Sequence, residues 1–185
     1  MRTPRRRRPT LDQVRAGVRA FDGKDLDPLR ALAAGMPADE EGVSLLLSLL
    51  PSRKDSVEIG ATWLVKNLLE RASDPLPAQR SRRLAKRLLD CRLDWSRLHL
   101  LQSLPYVRLG AVTRSELDRA MWRWLDEIQH GFTRAWVYDA LVRCSRGDRA
   151  KNIELLETFA AAYDHERPAV RARLRRLILE LESRT

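Results

Sequence analysis

Apolar residues recur at helical spacing along most of the chain, and the segment Asp55–Arg71 shows this pattern most clearly. From position 59 its apolar side chains follow the order i, i+4, i+5, i+9 and i+10, at Ile59, Trp63, Leu64, Leu68 and Leu69. This spacing places one broad apolar face along a helix. The alternation that marks a β-strand is hard to find, so the pattern predicts an all-α fold.

The pattern of this segment is repeated three times further along the chain. The repeats that align with Trp63–Leu68 are His99–Leu104, Trp136–Leu141 and Ala172–Leu177, at successive intervals of 36, 37 and 36 residues. A fixed period of this length is typical of helix pairs that stack, because a single pair cannot bury its apolar face alone. We therefore interpret the position of Trp63 and its counterparts as a core position.

Turn and capping residues divide the chain into about five helix pairs. Their approximate ranges are 10–34, 39–71, 79–107, 113–144 and 148–181. Three of the predicted helices begin with a capping pattern, at Thr10 with Gln13, at Asp55 with Glu58, and at Thr113 with Glu116. Pro105 should end or kink the helix in which it falls, because proline removes a backbone donor and clashes with the preceding turn.

The chain divides into a short arm and one domain. Residues 1–9, MRTPRRRRP, have no apolar periodicity and contain two prolines, which predicts a disordered basic arm. Residues 10–185 carry the helix pairs, and their number fits a single domain with a sizeable core. We therefore predict one helical-repeat domain over residues 10–185.

The composition argues against several other classes of protein. Hydrophobic residues make up 44% of the chain, so wholesale disorder is not expected. No apolar run approaches the roughly 20 residues of a membrane-spanning helix, and no apolar core of a secretory signal follows Arg8. Cys91 and Cys144 fall on separate predicted helices and form neither a disulfide framework nor a CxxC site. We expect a cytoplasmic protein with no membrane contact.

Positive charge is concentrated in three places. The formal net charge is +10, and the excess lies in the arm, in residues 78–100 and in the C-terminal helix. Arg80, Arg83 and Arg87 are spaced three and four apart and so share one face of the predicted basic helix 79–90. Arginines of this kind could neutralise nucleic-acid phosphates. The candidate nucleic-acid residues are Arg5, Arg6, Arg7, Arg8, Arg80, Arg82, Arg83, Lys86 and Arg87.

Two segments resemble a known repeat family. Residues Pro168–Leu181, PAVRARLRRLILEL, resemble the second helix of a HEAT repeat, and Asp55–Ala61 resembles the same Asp-x-Val opening. The resemblance covers about residues 39–181 and implies a right-handed α-solenoid of about five antiparallel helix pairs, whose second helices line a concave face. It also implies binding of proteins or peptides, and sometimes of nucleic acids. The third repeat departs from the pattern, with His99 in place of tryptophan and Pro105 within a predicted helix.

Polar residues occupy equivalent positions one turn after Trp63 and its counterparts. They form a row that we predict to be the binding surface on the concave face: Lys66, Asn67, Gln102, Ser103, Asp139, Arg175 and Arg176. The row has no common charge sign. This mixture favours a peptide or a protein surface over the uniform charge of a phosphate backbone.

Recognisable catalytic motifs are absent from the sequence. There is no glycine-rich nucleotide loop, HExxH or GxSxG motif, and the three histidines are far apart, so we predict neither a cofactor nor a metal site. Some HEAT-like solenoids are alkylpurine DNA glycosylases, which carry Trp, Asp and Arg on the concave face. The residues that resemble this set are Trp122 with Asp126, and Trp136 with Asp139 and Arg134. Trp122 and Asp126 fall on a first helix rather than a second, which makes this a remote alternative.

The sequence thus leads to a main hypothesis and an alternative. The main hypothesis is a non-catalytic HEAT-like adaptor that engages a protein or peptide through the polar row. The alternative is a DNA- or RNA-binding protein that uses the basic arm and the basic helix. Oligomeric state and the identity of the partner stay open.

Overall fold

The computed structural model describes residues 9–185, and throughout this range the regular structure is helical. Ten α-helices follow one another: α1 (Leu11–Ala20), α2 (Asp27–Gly35), α3 (Glu40–Leu47), α4 (Asp55–Arg71), α5 (Ala78–Asp90), α6 (Asp94–Ser103), α7 (Ala111–Glu127), α8 (Gly131–Cys144), α9 (Arg149–Tyr163) and α10 (Pro168–Glu182). A short 3-10 helix, Leu104–Tyr106, follows α6. The prediction of an all-α fold is confirmed. No helix within the described range is long and apolar enough to cross a membrane.

The described chain forms two compact units, one that ends at Arg108 and one that runs from Leu109 to Thr185. In the first unit, α4 packs against α6 and α3, and α1 and α2 cover its other side. Ala61, Leu64, Val65 and Leu68 of α4 are completely buried. Helix α4 is therefore the central element of the first unit.

A polar connection closes the far end of the first unit. The backbone N–H of Leu76, before α5, donates to the carbonyl of Tyr106, after α6, at 2.8 Å. The buried hydroxyl of Ser81 donates to the Leu76 carbonyl at 2.9 Å and accepts from the Arg108 N–H at 2.9 Å. These bonds fix the two ends of the α5–α6 pair together, because buried backbone groups require partners.

In the second unit, α8 packs against α7 and α10, and α9 packs mainly against α10. Trp124 of α7 and Phe159 of α9 are the largest fully buried side chains there. The ring of Phe159 meets Tyr138 edge-on, with centroids 5.0 Å apart, which is a favourable aromatic arrangement. Second helices are thus neighbours within each unit, α4 with α6 and α8 with α10. The single domain over residues 10–185 and the right-handed solenoid stay predictions.

The local predictions about helix ends have mixed outcomes. The capping box of Thr10 and Gln13 is present, with both reciprocal hydrogen bonds. The boxes predicted at Asp55 and at Thr113 are wrong, since α4 is capped by Lys54 and α7 by Gly110, and neither cap makes a side-chain hydrogen bond. Pro105 ends α6 as predicted, because the chain changes there to a 3-10 turn.

The core position assigned to Trp63 and its counterparts holds only in part. His99 is buried, but Trp63 and Trp136 are half-buried, and Ala172 is exposed. The tryptophan that is fully buried is Trp124, on a first helix. The aligned position is therefore not one uniform core site. The basic arm lies outside the described residues, apart from Pro9.

Candidate functional site

The polar row is divided between the two units. In the first unit, Lys66 forms a salt bridge with Glu70 at 2.9 Å, and Asn67 and Gln102 are half-buried. Ser103 is fully buried, and its hydroxyl donates to the His99 carbonyl one turn earlier. Lys66 is the charged residue among the row positions of the first unit, and Glu70 already balances its charge.

In the second unit the row contains a buried carboxylate surrounded by arginines. Asp139 of α8 has a side chain that is only 3% exposed. One of its oxygens accepts from Arg173 at 2.9 Å and from Arg176 at 2.7 Å, both on α10. The other accepts from Nε of Arg143, one turn along α8, at 2.8 Å. We call Arg143, Arg173 and Arg176 the arginine cluster.

The arginine cluster is positioned by more than the carboxylate. The guanidinium of Arg173 lies over the ring of Trp136, 4.2 Å from its centroid, so that a cation–π contact holds its flat face. Arg143 is held by its i, i+4 spacing to Asp139. Next to the cluster, Arg175 donates to the hydroxyl of Tyr163 at 2.8 Å. These contacts reduce the freedom of long side chains that would otherwise be mobile.

Exposure differs among the three arginines of the cluster. The Arg176 side chain is 60% exposed, whereas those of Arg143 and Arg173 are 31% and 23% exposed. A guanidinium carries five N–H donors, and the hydrogen bonds described for the cluster use one from each arginine. The cluster therefore offers directed N–H groups and two positive charges in excess of the carboxylate.

A second polar cluster in the same unit has a structural explanation. Glu166, between α9 and α10, accepts from Arg134 Nε at 2.9 Å and from the Tyr138 hydroxyl at 2.8 Å. Burial by itself would raise the pKa of Glu166, but the hydrogen bonds from Arg134 and Tyr138 outweigh it and lower the pKa. Arg134 also donates to the carbonyls of Leu125 and Ile128 at the end of α7. This cluster joins three helix ends and leaves no cation free for a ligand.

The first unit contains one perturbed histidine, at a position that the repeat alignment assigns to tryptophan. Nδ1 of His99 lies 3.1 Å from the hydroxyl oxygen of Thr62 on α4. Burial and, secondarily, the charge of Lys66 lower the pKa of His99 from 6.5 to about 4. His99 is therefore neutral near pH 7 and acts as a polar core residue between α4 and α6.

The basic helix does not present its predicted face freely. Arg80 forms a 2.7 Å salt bridge with Glu40 on α3, and Arg83 donates to the Ser44 hydroxyl at 3.3 Å. Arg87 lies 3.7 Å from Asp90. Only the other two candidates on this helix, Arg82 and Lys86, are exposed. The three arginines that share a face thus contact their own fold, while Arg5, Arg6, Arg7 and Arg8 lie outside the described residues.

Of the residues that resemble a glycosylase site, Asp126 and Arg134 line one cavity of about 430 Å³, and neither Trp122 nor Trp136 lines it. Asp126 is exposed near the end of α7, and the Lys151 ammonium lies over the Trp122 ring, 5.7 Å from its centroid. Asp139 and Arg134 belong to the two clusters already described. Burial raises the pKa of both Cys91 and Cys144 to about 12, so neither thiol is activated as a nucleophile. Over residues 9–185, no group of three or more His, Cys, Asp or Glu side chains is arranged to hold a metal ion.

A comparison of the chain with protein-family models, with curated proteins and with solved structures finds no match in any of the three. The site must therefore be interpreted from its own geometry.

Sequence reasoning found part of this site. Asp139, Arg175 and Arg176 belong to the predicted row, whereas Arg143 and Arg173 do not. Arg143 has a signal in the sequence, since an acid and a base four residues apart on a helix commonly pair. Arg173 has no such signal in the sequence, because the carboxylate to which it bonds, that of Asp139, lies 34 positions away.

Proposed function

We propose that the chain is a non-catalytic binding module that engages another protein or a peptide through the face formed by α8 and α10. The observation that carries the proposal is the buried carboxylate of Asp139, which orients three arginines of two helices. Arginines that are already oriented lose less conformational entropy when they bind, and this favours a binding surface. Arginine is also enriched among the residues that contribute most to protein interfaces.

The architecture that fits this role is a right-handed HEAT-like solenoid with its second helices on the concave face. Two observations support it: the 36- to 37-residue period, and the packing of second helix on second helix within each unit. Within each unit, the second helices would then present the row positions on one surface. The row positions of the first unit would provide polar contacts, and the arginine cluster of the second unit would provide charged contacts.

A nucleic-acid function has weaker support. Of the candidates on α5, the three that share a face contact Glu40, Ser44 and Asp90. Phosphate binding needs several cations that can release their counterions together. The α8–α10 face provides arginines around one point rather than along a track, which suits a protein partner better.

The proposal is tested with a double charge reversal, Arg175→Glu with Arg176→Glu, in the full chain. The matched control is Arg119→Glu with Arg123→Glu, two exposed arginines of α7 in the same unit. Proteins cross-linked to the wild-type chain in a lysate treated with nuclease are compared with those cross-linked to each variant. We expect the first variant to lose specific partners that the control keeps, while circular dichroism shows both variants folded at the temperature of the experiment. Equal capture by both variants would contradict the proposal, as would loss of capture on nuclease treatment alone.

A further inference from the structure

The arginine cluster has the composition of a site for a carboxylate of a partner protein. Asp139 contributes one negative charge against three positive charges, and no other carboxylate among the described residues bonds to the three guanidinium groups. Arginine binds a carboxylate through two parallel N–H···O bonds, which gives both strength and orientation. Arg176 is the most exposed of the three and is therefore the group best placed to make the first contact, whereas Arg143 and Arg173 are less exposed.

One exposed apolar side chain lies beside the cluster. Leu179 of α10 is 62% exposed, and it lies three residues after Arg176, so both side chains occupy neighbouring positions on the helix surface. Beyond Leu179 the exposed carboxylate is that of Glu182, since Glu180 forms a salt bridge with Arg184. The cluster and the neighbouring Arg175 therefore border one exposed apolar side chain, which is followed by one exposed carboxylate.

This combination favours a peptide over a nucleic acid. A phosphate backbone carries charge at short, regular intervals, and the exposed carboxylate of Glu182 would oppose it beyond Leu179. Stacking of a base on Trp136 is prevented on one face, because the Arg173 guanidinium occupies that face. A peptide with one acidic residue and one apolar residue about a helical turn apart would meet both Arg176 and Leu179.

We propose that the α8–α10 face binds a segment of a partner protein that pairs a Glu or Asp carboxylate with a nearby apolar side chain. The carboxylate is held by Arg176 together with Arg143 and Arg173, and the apolar side chain packs on Leu179. The inference rests on the proposed function and adds the chemistry of the partner to it. Asp139 positions the arginines and does not contact the ligand.

The test is fluorescence anisotropy of the full chain with a labelled twelve-residue peptide of repeated Glu-Ala-Ala-Leu units. The control peptide has Gln in place of each Glu, and a labelled single-stranded oligonucleotide of twelve nucleotides is the third probe. We expect saturable binding of the acidic peptide and binding of the Gln peptide weaker by about tenfold, which corresponds to about 1.4 kcal/mol. Binding of the oligonucleotide that is tighter than that of the acidic peptide would overturn the inference.

Variants locate the binding on the surface. Arg176→Glu should weaken the acidic peptide at least about tenfold and Leu179→Ser about threefold to tenfold, while Arg119→Glu, with the same charge change, should stay within about twofold. If Arg176→Glu and Arg119→Glu bind the acidic peptide with equal affinity, the net positive charge of the chain attracts the peptide, and the proposed site at Arg176 is wrong. If the peptide does not bind but the Arg175→Glu, Arg176→Glu variant still loses its cross-linked partners, the carboxylate inference fails and the proposed function stands.

Discussion

At the scale of single residues, the second unit depends on a buried carboxylate with several cationic partners. Desolvation of an ion pair is costly, and removal of one partner leaves the others without compensation. Asp139 is 3% exposed and balances three arginines. Loss of its charge would leave like charges close to one another on α8 and α10.

Asp139→Ala should therefore lower the free energy of unfolding by about 2–4 kcal/mol. Asp139→Asn should lower it by less, because the amide oxygen still accepts hydrogen bonds. Asp126→Ala is the matched control, since that aspartate is exposed on α7, and it should change the value by no more than about 0.5 kcal/mol. Urea unfolding measures the change in unfolding free energy for all three variants. Similar changes for Asp139→Ala and Asp126→Ala would contradict the structural role of Asp139.

His99 makes the stability of the first unit depend on pH. Because its pKa in the folded protein is about 4, the unfolded chain takes up a proton between pH 6.5 and 4 while the folded chain does not. The contribution of neutral His99 to the free energy of unfolding is complete above pH 6.5. Between pH 6.5 and 4 it decreases by about 1.4 kcal/mol for each unit by which the pH is lowered. The difference in unfolding free energy between the wild type and His99→Gln should change with that slope. A wild-type slope in His99→Gln would contradict the assignment.

The residues of the row show what the sequence could and could not predict. Repeat alignment placed Asp139 in the row of polar residues that was predicted to be a binding surface. It could not show that Asp139 and Ser103 are buried, since burial depends on partners from other turns and helices. Ser103 can be buried because its hydroxyl donates a hydrogen bond to the carbonyl of His99, in the preceding turn of its own helix.

At the scale of helices, arginine side chains satisfy the carbonyls at helix ends. Arg71 donates to the carbonyl of Ala33 near the end of α2, at 2.8 Å, and Arg184 donates to that of Val142 near the end of α8, at 3.3 Å. The last carbonyls of a helix have no partner within it, and a cation also complements the negative end of the helix dipole. A part of the arginine excess is thus used within the fold, which charge counting cannot reveal.

Gly42 of α3 is required by a close approach of the backbone. A Cβ at this position would lie 2.8 Å from the carbonyl oxygen of Pro37, which is too close for van der Waals contact. Gly42→Ala should lower the unfolding free energy by about 1–3 kcal/mol in spite of the gain in helix propensity. Gly35→Ala, at a helical site with no atom within 4 Å, should raise it by up to about 1 kcal/mol. Thermal or urea unfolding of the pair checks the prediction, and stabilisation by Gly42→Ala would contradict it.

Helix existence was predictable, whereas helix ends were less so. Apolar spacing marks helices such as α4 because a single face must be buried whatever its neighbours are. The capping pattern at Asp55 failed because Glu58 has another role: its carboxylate is buried and accepts the backbone N–H groups of Arg92 and Leu93 before α6. A bond between residues 34 positions apart leaves no local signal in the sequence.

At the scale of the whole molecule, the position of the charges is more informative than their total. The net charge of +10 suggests nucleic acid, but the arginines that share a face on α5 contact their own fold, and others complete helix ends. The α8–α10 face is where oriented guanidinium groups reach solvent around a single carboxylate. We therefore propose that this face carries the binding role and that the basic helix is mainly a structural element.

The most direct test of this assignment is an NMR titration of the ¹⁵N-labelled full chain with the acidic Glu-Ala-Ala-Leu peptide. We predict saturable shifts of the Nε–H signals of Arg143, Arg173 and Arg176 and of the backbone amides of α10 around Leu179. The amides of α5 should stay unchanged. Shifts concentrated on α5, or no saturable shift at the arginine cluster, would contradict the proposal that the α8–α10 face binds the peptide.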